Sequence, residues 1–355
     1  CQALAGDAAI ELVVAGRDAA RAGAFAAALG ARAAAIDSTA PGLADVLRRL
    51  GAGLVIHAAG PFQAQGYGVA HAAAQAECHY IDLADGRRFV CDFGPAMAGV
   101  FGAAGRTAIT GASTVPALSS AVADALRPRF ARLDAIDLCI APAQQALRGE
   151  ATVAGVLSYC GTAVQVWQDG RWQSQRGWAA PRPVRFARIK PRLGALCDIP
   201  DLELFPQRYP GVRTVMFRAA LEVGASQRAF AGLAWLHAQG WLVRPQALAG
   251  WLHRAGRVFD AFGSPDGGMV VRMRGRGPQG QPLQLAWNIF APNHHGPEIP
   301  CMAAVLLARR LARGEPLRPG AQACMGLLAL SDFAPEFARW GMVSDLEEEE
   351  AGQGA

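Results

Sequence analysis

The stretch LVIHAAGPFQAQGYGVAHAAAQAECHYIDLAD, Leu54 to Asp85, decides the fold. A short apolar run (Leu54, Val55, Ile56) breaks at Ala58-Ala59-Gly60-Pro61-Phe62, and helix-compatible residues then lead to a second run, Tyr80-Ile81-Asp82-Leu83. A buried strand, a small-residue turn, a helix and a second parallel strand make one βαβ unit of about 30 residues. The turn is the informative part. Small residues at the carboxyl end of a parallel strand let a ligand approach the backbone, and doubly wound sheets bind ligands at those ends. Ordinary tight packing is the competing reading of the same three residues.

Working outward, the alternation continues on both sides. Upstream, Ile10 to Ala15 reads as a strand ended by Gly16-Arg17-Asp18, and Asp18 is placed to cap a helix with Ala22, Phe25, Ala26 and Leu29 on one face. Arg32 to Asp37 is a weak strand and Pro41 to Leu50 a helix stopped by Gly51. Downstream come a helix at Arg87 to Phe101, a strand at Thr107 to Thr110, the turn Gly111 to Pro116 and a helix to Leu126. Strand and helix in strict alternation predict an α/β fold, a Rossmann-type doubly wound parallel sheet covered on both faces. After Pro128 the pattern changes to strands at 135–141, 184–189, 212–218, 269–274 and 283–289, with a hairpin turned by Asp169-Gly170. The chain therefore divides into a nucleotide-binding domain at 1–128 and an α+β substrate or dimerisation domain with a mainly antiparallel sheet at 129–293. A returning helix follows at 294–340, then an acidic tail at 341–355 that is expected to be disordered.

Composition excludes several functions. The chain of 355 residues is 52% hydrophobic and 18% charged, as soluble globular proteins are. Its net charge of +5 comes almost wholly from arginine, Lys190 being the only lysine, and no basic block suggests a nucleic-acid partner. Eight cysteines without a C-x-x-C pair fit free thiols in a cytoplasmic protein and no metal site. No apolar run reaches the roughly 18 residues of a membrane span.

Arg17 carries the cofactor reading. At the end of the second strand of a Rossmann sheet an acidic residue binds the ribose of NAD, and an arginine accommodates the 2′-phosphate of NADP. Gly16-Arg17 thus predicts NADP(H), against the plainer reading of a solvated surface arginine. No G-x-G-x-x-G precedes Ile10, and the glycines at 275, 277 and 280 belong to a ribbon turn. The loop lies about 20 residues before the ribose-reading residue, so the expectation is a sequence truncated at its N-terminus and lacking the first strand. The neighbouring strands would then face a gap with unpaired backbone groups. His294 and His295 read as loop residues, and Ser119 and Ser120 have no acid-base partner at a recognisable spacing. The eight tryptophans are assigned to the second domain's core and to a homodimer contact.

Four segments together, Ala15-Gly16-Arg17, Ala58 to Phe62, Tyr80 to Gly86 and Gly111 to Ser120, resemble the saccharopine dehydrogenase NADP-binding-domain family over residues 1 to about 125. His295-Gly296-Pro297-Glu298-Ile299-Pro300 is the best match beyond residue 130, and the departure is the absent glycine loop. The resemblance implies a Rossmann domain, a second domain with an antiparallel sheet and a cleft between them where the nicotinamide meets a small-molecule substrate. It implies hydride transfer at a carbon bonded to nitrogen, as in making a secondary amine from an imine. The matched positions are Gly16, Arg17, Ala58, Ala59, Gly60, Pro61, Phe62 and Ser113 for the cofactor, with Asp82 and Asp85 as catalytic carboxylates that bind a substrate nitrogen or shuttle a proton. Asp85 also suits a plain helix cap, as do Ser113 and Thr114. A regulatory or interaction protein that binds NADP without turnover is the alternative from another class.

Overall fold

The computed structural model describes residues 1–146 and 150–348. The first third alternates as the sequence dictates: β1 (Val13–Gly16), α1 (Ala19–Ala28), β2 (Arg32–Ala35), α2 (Leu43–Leu50), β3 (Leu54–His57), α3 (Gly68–Gln75), β4 (His79–Asp82), α4 (Arg87–Ala103), β5 (Thr107–Thr110) and α5 (Ser119–Leu126). Asp18 caps α1, its carboxylate accepting from the Arg21 amide at 2.9 Å. The parallel strands lie in two separate sheets. One pairs β1 with β2, and the other has the order β14 (Gly320–Ala323), β5, β4, β3, with Leu54 beside His79 and Ile81 beside Ile109.

The second half builds a nine-stranded sheet from β6 (Arg132–Ala141), β7 (Ala163–Gln168), β8 (Arg171–Arg176), β9 (Arg182–Val184), β10 (Arg192–Leu196), β11 (Thr214–Ala220), β12 (Gly267–Arg276), β13 (Pro282–Ala291) and β15 (Val343–Glu348). Its pairings are antiparallel except β6 with β11. The β7–β8 turn places Asp169 and Gly170 at φ +55° and +76°, the two positive values that a tight hairpin needs. Glycines 275, 277 and 280 lie in β12 and its turn into β13. Helices α6 (Glu150–Ser158), α7 (Asp201–Arg208), α8 (Gly224–Ala238), α9 (Ala249–Gly256), α10 (Ile299–Ala312) and α11 (Leu330–Arg339) complete the chain. Between α10 and α11, Gly320–Ala323 forms β14 and closes the edge of the parallel sheet beyond β5.

One apolar core joins the halves: Ile81, Ile109 and Leu118 cluster with Ile136, Val215, Val271 and Leu285 of the large sheet and Phe333 of α11. Helix α10 returns to the start of the chain, where Arg309 donates to the Ala3 carbonyl at 2.7 Å and Val305 and Ala308 cover Ala3 and Leu4.

The acidic tail expected at 341–355 differs over its first part. Residues Val343–Glu348 form an edge strand on β13, because backbone pairing asks nothing of side-chain polarity and Arg188 and Arg129 neutralise Asp345 and Glu348. Residues 349–355 lie outside the described residues.

Candidate functional site

A cavity of about 950 Å³ lies between the two parallel sheets, with residues of β1 on one wall and of β3 on the other. Gly16, Arg17, Ala58 and Ala59 all line it, and so does Ser38, a residue the sequence reading did not single out. Arg17 is exposed at its rim near Asp37, whose carboxyl is held below its usual value by hydrogen bonds from Thr39 and then by the Arg17 charge. Gly60, Pro61, Phe62 and Ser113 are not among the lining residues.

The turn after β3 is pinned by one side chain. Gln65 Nε2 donates to the carbonyls of Ala59 at 2.6 Å and Pro61 at 3.0 Å, which leaves Ala58, Ala59 and Gly60 exposed. Phe62 turns inward instead, buried edge-on against His57 at 5.1 Å and Phe89 at 5.2 Å. His57 lies 3.0 Å from the Tyr80 hydroxyl through Nδ1, and its burial lowers the pKa of the ring.

The two candidate carboxylates, three residues apart, have opposite surroundings. Asp82 is fully buried, and its Oδ1 accepts from the Ala84 amide at 3.0 Å, the Thr110 hydroxyl at 2.9 Å and the Gly111 amide at 2.8 Å. These bonds favour the ionised form, yet desolvation is larger and pushes the carboxyl up to about 6. Asp85 is solvent-accessible, yet crowding by protein raises its carboxyl. Its Oδ1 accepts from Gln63 Nε2 at 3.2 Å. A Cβ on Gly155 of α6 would stand 3.4 Å from the Gln63 amide, so glycine gives that side chain its room. Tyr159, four residues on, carries a phenol that feels the Asp85 charge. Burial, with the neighbouring Cys197 and Asp85, holds its phenol well above the ordinary value.

Arg87 ties α4 to the second half of the chain. It reaches Asp198 at 3.2 Å, Glu203 at 3.1 Å and the Gln165 carbonyl at 2.7 Å, and its guanidinium lies over Trp172 at 5.5 Å. Ser113 is buried and its side chain makes no capping bond. Gly111 beside it has φ +70°, and a Cβ there would lie 2.8 Å from Pro116 Cδ, so this turn admits only glycine without rearrangement. Among the described residues no three His, Cys, Asp or Glu side chains converge on a metal position.

No protein-family model and no curated protein matches the chain. Solved structures do. The apo saccharopine dehydrogenase (L-Glu forming) of Saccharomyces cerevisiae superposes with a TM-score of 0.67 at 13% identity, covering 98% of this chain and 96% of that one. The homospermidine synthase of Legionella pneumophila, solved in complex with NAD, gives 0.60 at 9% identity, covering 98% and 88%. At such identities the likeness speaks for the fold, and it extends over nearly the whole chain, the large mixed sheet included. The chain therefore has the fold of saccharopine dehydrogenase, a Rossmann-type α/β half joined to a second, mainly antiparallel one.

Proposed function

We propose that the protein is a cytoplasmic NADP(H)-dependent oxidoreductase of saccharopine dehydrogenase type, acting at a carbon bonded to nitrogen in a small molecule. The observation that carries this reading is continuity. The cavity rimmed by Arg17 and Ser38 ends on Ala58 and Ala59, and the same turn leads within a few residues to Gln63, which holds Asp85. In this reading Arg17 and Ser38 receive the 2′-phosphate, the bare Gly16 lets the cofactor approach β1, and Ala58 and Ala59 form the wall. Gly60 and Pro61 shape the lip, while Phe62 and Ser113 support it from below. The residues fit the adenosine end of the cofactor, where a cation and a hydroxyl share one rim. For the pyrophosphate, no G-x-G-x-x-G turn lines the cavity among the described residues.

When bound, the nicotinamide supplies or takes the hydride. In this reading Asp85 gives a proton to the substrate nitrogen or takes one from it, a role supported by its raised pKa, which keeps a proton available closer to neutrality than an ordinary carboxyl would. Asp82 acts through the backbone, tying the end of β4 to the turn after β5.

Binding of NADPH and NADH, read by tryptophan fluorescence, tests the cofactor reading. Arg17→Asp should weaken NADPH by roughly 10- to 100-fold and leave NADH within about threefold, since a charge-assisted phosphate contact contributes about 1.5–3 kcal/mol. Equal loss for both cofactors, or no binding of either by the wild-type chain, sinks it. Oxidation of NADPH against a panel of imines tests the chemistry, and Asp85→Asn should lower kcat about 100-fold or more. Tight NADPH binding with no turnover on any imine would favour the non-catalytic reading.

A further inference from the structure

Helices α8 and α9 turn large apolar side chains outward. α8 buries Gln227 and Ala234 and packs Phe230 on Trp178 at 4.9 Å, but Trp235 is 55% exposed. Trp235 meets Trp241 edge-on at 5.4 Å, and beyond the Gly240 turn Trp241 and Val243 stand 73% and 78% exposed. α9 buries Ala249 and sends Leu252 to the core, whereas Trp251, Val258 and Phe262 are 65%, 71% and 76% exposed. Trp251 lies on α9, and Val258 and Phe262 on the 3-10 helix Arg257–Phe262 that follows it. Six large apolar side chains within one short segment exceed the scattered exposure normal for a soluble surface.

The exposed charges of this segment are all arginines. Arg228, Arg244 and Arg254 are exposed among the aromatics and, among the described residues, none of them is in an ion pair. The single carboxylate between residues 224 and 263 is Asp260, and it already accepts from Gln144 Nε2 at 2.9 Å. A second copy docking the same face would set these guanidiniums against their own images, which disfavours an isologous dimer. No described helix is long and apolar enough to cross a membrane.

We infer that the α8–α9 pair docks on the surface of an anionic lipid bilayer. Trp235, Trp241, Trp251 and Phe262 enter the headgroup region, where amphipathic rings are stable, and Arg228, Arg244 and Arg254 meet lipid phosphates. Because α9 packs against α6, which carries Gly155 beside Gln63, docking brings the membrane to the side of the molecule that holds these residues.

Co-sedimentation of the full chain with extruded vesicles tests this, using phosphatidylcholine alone and phosphatidylcholine with phosphatidylglycerol. The chain should pellet with the anionic vesicles, its tryptophan emission should shift to the blue, and added salt should release it. Trp241→Ser combined with Trp251→Ser should reduce partitioning about tenfold or more with the thermal midpoint unchanged. Arg244→Gln with Arg254→Gln should remove the preference for anionic lipid. Failure to pellet with anionic vesicles, or equal binding by the tryptophan variant, overturns the inference. A concentration-dependent dimer in sedimentation equilibrium that the tryptophan variant dissolves would also overturn it and assign the face to a second copy.

Discussion

The turns after β3 and after β5 leave neighbouring regions of one sheet edge, and each carries a glycine and a proline. Their surroundings are opposite. Ala58, Ala59 and Gly60 are exposed, two of them line the large cavity, and one glutamine pins the turn. Residues 111–118 are buried throughout, tied to Asp82 and packed into the core shared with the large sheet. The same local vocabulary therefore serves two ends. One turn leaves backbone open to a ligand, and the other fastens the two halves of the molecule together.

Substitutions that treat the turns alike should separate them. Gly111→Ala forces a left-handed φ and a 2.8 Å contact with Pro116, and thermal or denaturant unfolding should show a loss of about 3–4 kcal/mol. A loss below about 1 kcal/mol would mean that the buried turn is as yielding as the open one. Next in size is the pH dependence set by Asp82. Its folded pKa of about 6 lies above the ordinary 3.8, so the folded state holds a proton that the unfolded state releases. This contribution is intact below about pH 4 and is lost as pH rises to about 6, a decline on the order of 3 kcal/mol. Asp201, buried beside Ser119 and pushed up to about 7, adds a decline of the same sign that ends one unit higher. Asp82→Asn and Asp201→Asn should each flatten part of the slope between pH 4 and 7, and an unchanged slope in both would remove burial as its cause. Smallest is Gly60→Ala: its Cβ would meet Phe62 at 3.7 Å, ordinary contact, so stability should change by less than about 0.5 kcal/mol.

How far the sequence reached depended on what kind of information each element used. β3, β4, β5, β12 and β13 were legible because their own apolar runs specify burial. β14 reads GAQA and β15 VSDLEE, with no apolar run or alternation; they are strands only because β5 and β13 offer backbone partners. In the site, Arg17, Ala58 and Ala59 were legible because each sits where a strand ends. Gln63, Tyr159 and Arg87 were not, since their partners come from distant parts of the chain. Phe62 was read as a cofactor position and its ring lies in the core, because an aromatic after a turn carries no sign of which way it points.

The closure of the parallel sheet by β14 has a consequence for synthesis. The Thr107 hydroxyl of β5 bonds the Leu317 carbonyl, 210 positions later, and the Ala3 carbonyl waits for Arg309, 306 positions later. As the nascent chain leaves the ribosome, β5 therefore keeps a bare edge until Gly320–Ala323 has emerged. Contacts this remote make for late, slow closure, and an uncovered strand edge invites pairing with a neighbouring chain. The N-terminal half can be made first, but it is finished last.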